Sequence, residues 1–110
     1  MSIAFNGDLK FAQVNATADG VNTVVAAVAS KRICVIGYCF TFTAAGLVVV
    51  QDNTGTPVVL GRFTAPVNGQ VDYAGGLGAP AFFTSVGKSL DISNAAGVDT
   101  LGHLCYLEID

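Results

Sequence analysis

Few residues of this chain are equipped for chemistry. It carries one histidine, His103, and three cysteines, Cys34, Cys39 and Cys105. A serine or cysteine hydrolase needs an imidazole beside its nucleophile, so any such site must be built around His103. Read as a strand, Gly102-His-Leu-Cys-Tyr106 points His103 and Cys105 to the same side. Same-side neighbours on a strand stand about 6.5 to 7 Å apart, too far for a direct hydrogen bond. Cys34 or Cys39 could meet His103 from a neighbouring strand, and the sequence leaves that open. No nucleophile motif surrounds any of the cysteines, which favours a structural histidine and small buried thiols. His103, Cys105 and Cys39 have the ligand types for zinc but not the close paired spacing of a zinc motif, so no metal and no cofactor is expected.

The carboxylates add little. Asp52, Asp72, Asp91 and Asp99 fall at strand ends or loops, with no calcium-loop pattern, and are expected on a solvated rim. Ala74-Gly-Gly-Leu-Gly-Ala79 is glycine-rich but lacks the lysine and the following helix of a phosphate-binding loop. A tight loop before Pro80 accounts for it better.

The elements that must position these residues are strands. Turn signals recur about every ten residues, among them Asn6-Gly7-Asp8, Asp19-Gly20, Ala44-Ala45-Gly46 and Asn94-Ala95-Ala96-Gly97, the spacing of a sandwich or jelly roll. Between them the β-rich runs predict strands near Lys10 to Val14, Val21 to Val28, Arg32 to Thr43, Leu47 to Gln51, Val58 to Thr64, Gln70 to Tyr73, Ala81 to Ser85, Leu90 to Ser93 and Thr100 to Ile109. Asn53-Thr54-Gly55, between LVVVQ and PVVLG, is the clearest hairpin signal. No segment competes as a helix; the alanines near Val24 to Val28 are outweighed by their β-branched neighbours.

One run is unusual. In Lys31-Arg-Ile-Cys-Val-Ile-Gly-Tyr-Cys-Phe-Thr-Phe-Thr43, strict alternation puts Ile33, Val35, Gly37, Cys39 and Thr41 on one face and Cys34, Ile36, Tyr38, Phe40 and Phe42 on the other. Both are largely apolar, and the last strand is similar. Either other subunits cover the second face, or a curled sheet buries both under its loops.

At 110 residues the chain predicts one domain with one modest core. It is 52% hydrophobic and 12% charged, about half the usual charged share, too few charges to coat an isolated monomer generously. A net charge of −3, with Lys10, Lys31, Arg32, Arg62 and Lys88 mostly scattered, argues against nucleic acid as a partner. The start, MSIAFNGDLKFAQ, has neither a signal-peptide pattern nor a spanning helix, so a cytoplasmic origin and no membrane partner are expected. The odd cysteine count fits reduced thiols.

Ser30-Lys-Arg-Ile-Cys-Val-Ile-Gly-Tyr38, Ala44-Ala-Gly-Leu-Val48 and Gly102-His-Leu-Cys-Tyr-Leu-Glu-Ile109, around a Gly-rich middle, resemble the small virion proteins of tailed bacteriophages over roughly Val24 to Asp110. The resemblance implies an all-β, single-domain antiparallel β-sandwich of jelly-roll type that trimerises. It implies a non-enzymatic decoration (cement) protein on the outer surface of a phage capsid, with the major capsid protein as partner and no small-molecule substrate. Tyr38, Phe40 and Phe42 are then the candidate subunit contacts, since large aromatic groups dominate such seams. Residues 1–20 form an arm or a first strand ahead of a sandwich domain over 21–110, and Ile3, Phe5, Lys10 and Phe11 are candidates for capsid contact. Two other readings stand beside it: a fibre or receptor-binding module recognising glycan through Tyr73, Phe82 and Phe83, and a small hydrolase dependent on His103.

Overall fold

The structure is a computed structural model and describes residues 9–53, 56–75 and 79–109. These residues form strands β1 (Lys10–Ala16), β2 (Gly20–Val25), β3 (Arg32–Phe42), β4 (Gly46–Asn53), β5 (Val58–Ala65), β6 (Gln70–Ala74), β7 (Phe82–Phe83), β8 (Ser89–Asn94) and β9 (Thr100–Ile109). Each falls within one of the predicted runs or extends it by a residue or two.

Their pairing follows one plan. β1 pairs with β9, β2 with β8, β3 with β6 and β4 with β5, all antiparallel, so the chain is one long hairpin folded at the β4–β5 end. Wrapping that ribbon joins β9 to β3 and β8 to β4. The result is one sheet in the order β1-β9-β3-β6, with β7 added beside β3, facing another in the order β2-β8-β4-β5. This is the jelly-roll connectivity of an antiparallel sandwich. The residues of the β4–β5 turn, Thr54 and Gly55, lie outside the described set.

The core lies between the sheets and is built from Val14, Ile33, Val35, Phe40, Phe42, Val48, Val50, Leu90, Ile92 and Leu104, none more than 2% exposed. Burying one such large side chain contributes about 1.5–3 kcal/mol. Tyr38 stacks on Phe40 at a centroid distance of 4.6 Å and on Phe82 at 5.4 Å, while Phe63 meets Phe40 edge-on.

The alternation of β3 is broken once, and this corrects its predicted faces. Val35 pairs with Tyr106 and Gly37 with Cys105, so Ile36 is an extra residue in a β-bulge. Ile33 and Val35 before the bulge, and Tyr38, Phe40 and Phe42 after it, therefore all pack toward the same core. The outer face keeps Cys34, Ile36, Gly37, Cys39 and Thr41. The apolar residues on that face gather in a small second cluster, Cys34, Ile36 and Leu107 with Cys105 and Ile109.

Polar groups tie the sheets together. Asn94 of β8 donates from Nδ2 to the carbonyl of Ala16 at 2.8 Å and accepts from Thr100 Oγ1 at 2.7 Å, bridging to β1 and β9. Asp52 and Asp91 are fully buried rather than on a solvated rim. The Asp52 carboxylate accepts the amides of Val58 at 3.1 Å and Ser85 at 3.0 Å, which explains its burial. Asp91 accepts from Ser89 Oγ at 2.9 Å. Gly102, opposite Phe40, has φ +139°, and a Cβ there would come within 1.9 Å of the Cys39 carbonyl oxygen. Only glycine lets β9 run this close to β3.

Candidate functional site

The outer face of the β1-β9-β3-β6 sheet gathers the residues singled out for chemistry. Its strand registers place them in three transverse rows. The first is Phe11, Cys105, Gly37 and Ala74; the second Gln13, His103, Cys39 and Asp72; the third Asn15, Leu101, Thr41 and Gln70. Above the first two rows lies an open depression of about 400 Å³, lined by Phe11, His103, Cys105, Cys39 and Asp72 and by the β6 end at Tyr73 and Ala74. Its floor is low because Gly37 has no side chain. A Cβ there would sit 3.2 Å from Cys105 Sγ.

His103 thus stands directly opposite Cys39, a pairing the sequence left open. Directly opposed side chains have Cβ atoms about 4.5–5.5 Å apart, so imidazole and thiol are neighbours. Asp72, however, flanks Cys39 on its far side. It lies two strand spacings, about 9.5 Å, from β9, and so is not placed to orient the imidazole as the acid of a triad does. Cys105 points its Sγ at the Gly37 carbonyl, 3.7 Å away. Among the described residues no group of three His, Cys, Asp or Glu is placed to hold a metal ion.

Burial pushes the Cys34 thiol above its ordinary value, which keeps it protonated and inert. Burial also pushes the Tyr38 phenol up, reinforced by the nearby Tyr73 and Asp72. All three thiols are free.

The structure separates the residues expected at a subunit seam. Phe40 and Phe42 are 1% and 2% exposed in the chain's own core, and Tyr38 packs against it, because the bulge at Ile36 turns all three inward. Phe40 and Phe42 are core residues, which takes them away from any subunit contact, while Tyr38 is half-buried and also lines the outer-face depression. Of the expected capsid contacts, Ile3 and Phe5 lie outside the described residues. Lys10 pairs with Glu108 at 3.3 Å. Phe11 is 72% exposed, the most exposed large apolar side chain described. Residues 10–16 are a strand paired along its length with β9, so this part of the N-terminal segment is a first strand. Of the candidate glycan-stacking aromatics, Phe82 is buried, the Tyr73 hydroxyl donates to the Ala79 carbonyl at 2.6 Å, and Phe83 is exposed.

Sequence reasoning missed Gln13, Asn15 and Gln70. Their alternation with Ala12, Val14 and Val71 marks an outward face, but only the pairing of β1 and β6 around β9 and β3 puts them on one surface. No family model matches this chain, and neither a curated protein nor a solved structure matches it. Among the described residues no helix is long and apolar enough to cross a membrane.

Proposed function

We propose that the chain is a non-enzymatic structural protein that works within a larger assembly, as a capsid-surface (cement) protein of the kind its sequence resembles. The observation that carries this reading is the amount of apolar surface left uncovered. Phe11, Val67, Val21, Val58, Leu9, Leu47 and Val86 are each more than 45% exposed, on a chain with only 13 charged side chains, 5 Lys and Arg plus 8 Asp and Glu. Such residues scattered singly are ordinary on a monomer, but with so few charges between them they leave a surface suited to being covered by partners. The separation of Asp72 from His103 weighs against hydrolysis. The burial of Phe82 and the engaged hydroxyl of Tyr73 weigh against a sugar-stacking platform.

Such a protein stabilises a shell by mass action. It binds the assembled lattice and not the free subunits, so every occupied site opposes opening, and modest contacts add up over many sites. The test is gradient sedimentation of purified protein mixed with tailed-phage capsids, intact or dissociated. The reading expects co-migration with intact shells only, and a raised temperature of shell opening. Absence from the shell fractions at saturating protein would refute it.

A further inference from the structure

We propose that the outer face of the β1-β9-β3-β6 sheet is a self-recognition surface, on which a second copy of this chain packs about a twofold axis parallel to the strands. Such pairing does not require capsid binding. The two edge strands of this face, β1 and β6, carry complementary side chains, row by row.

A twofold axis along the strands, between β9 and β3, lays β1 of one copy over β6 of the other and β9 over β3, and keeps each row facing itself. In the first row this brings Phe11 over the partner's Ala74 and Cys105 over the partner's Gly37, the large groups facing the small. In the second it brings Gln13 to the partner's Asp72, an amide donor to a carboxylate acceptor. In the third it brings Asn15 to the partner's Gln70, two amides able to pair both ways. These facing pairs follow from the observed registers.

Shape agrees with this. Phe11 is 72% exposed and walls the depression of about 400 Å³ on the β1 side, from where the depression runs across Cys105 and Gly37 to Ala74 on β6. A cavity of about 150 Å³ accommodates benzene, so the depression has room for a phenyl ring. Each copy therefore offers one knob and one hole, the self-complementarity that an isologous contact requires. The four strands and three rows span roughly 400 Å² in projection on each copy. That is about half the roughly 800 Å² per partner of a standard stable interface, so the association is weak and concentration-dependent rather than obligate.

Charge reversal tests it on the full chain. Gln13 and Asp72 stand three strand spacings apart within one copy, about 14 Å, so any coupling between them is between copies. Sedimentation velocity across a dilution series should show mass moving between one and two chains. Gln13→Glu sets a carboxylate against the partner's Asp72 at both symmetric positions and should raise the dissociation constant roughly tenfold or more. Adding Asp72→Lys to that variant should restore association, with a salt dependence the parent lacks. Phe11→Ala should weaken association without changing the thermal melt at dilutions where the parent is a single chain, since the ring is exposed. A single-chain mass at every concentration, a trimer indifferent to Gln13→Glu, or a folded double variant that stays dissociated would each overturn the proposal.

Discussion

Deleting Ile36 should leave this protein folded, although it removes a residue from the middle of a buried central strand. Ile36 is the unpaired residue of the bulge, between Val35 opposite Tyr106 and Gly37 opposite Cys105. Without it the ladder becomes regular: Ile33 and Val35 still face the core, Gly37 faces out, and Tyr38, Phe40 and Phe42 still face in. The loss is the Ile36 side chain itself, 8% exposed in the small outer cluster, about 1.5–3 kcal/mol. Deleting Cys39, three residues on, also takes up the slack of the bulge, so Ile33, Val35, Phe40 and Phe42 again keep facing the core. The residues between the two sites change face, however: Gly37 turns inward opposite Leu104 and Tyr38 turns outward, leaving its stacks on Phe40 and Phe82. Emptying the place of a large aromatic side chain costs about 3–5 kcal/mol, a large share of the stability of a small domain, about 5–15 kcal/mol. Urea unfolding followed by circular dichroism should give a lowered midpoint for both deletions, with the Cys39 deletion clearly the less stable. Equal damage from the two deletions, or a Cys39 deletion more stable than the Ile36 deletion, would refute this account of the bulge.

Gly102→Ala should destabilise by at least about 2 kcal/mol, because alanine is strained at positive φ and its methyl has no room beside the Cys39 carbonyl; the shift in denaturation midpoint measures it. Asn94→Ala should cost about 1–3 kcal/mol, since it strands the Ala16 carbonyl and the Thr100 hydroxyl inside the sandwich; thermal unfolding against the parent checks it. Stability should also fall in alkali. Cys34 and Tyr38 titrate higher in the folded chain than their ordinary 9.0 and 10.0. Above those values the folded state holds more protons than the unfolded one, so their contribution is fully present below about pH 9 and is lost as pH rises through the folded values. Unfolding midpoints between pH 8 and about pH 11 should show that fall, with the thiol part absent in Cys34→Ala.

The division between sequence and tertiary structure follows from the range of the forces involved. Strand positions were legible because turn residues and β-branched runs act locally: Asp19-Gly20 and Asn94 to Gly97 delimit β2 and β8 on steric grounds alone. The unbroken alternation of the closing strand was legible, but which of its two apolar faces is inward came only with the sandwich, which buries Leu104 and packs Tyr106 against the core. What alternation could not supply was the bulge at Ile36. Either parity of β3 is apolar, so hydrophobic pattern does not choose between them; the choice is made by pairing with β9, where one residue of slack lets both halves of the strand bury their larger side chains. Asp52 was misplaced for a related reason. Its burial depends on the amides of Val58 and Ser85, and Ser85 is 33 residues away in the chain. The same holds for the outer face, where His103 meets Cys39 and Phe11 shares a row with Ala74. Those rows join strands from both ends and the middle of the chain, so residue types and turns come from local sequence, while neighbours across the sheet come only from the wrapping of the ribbon.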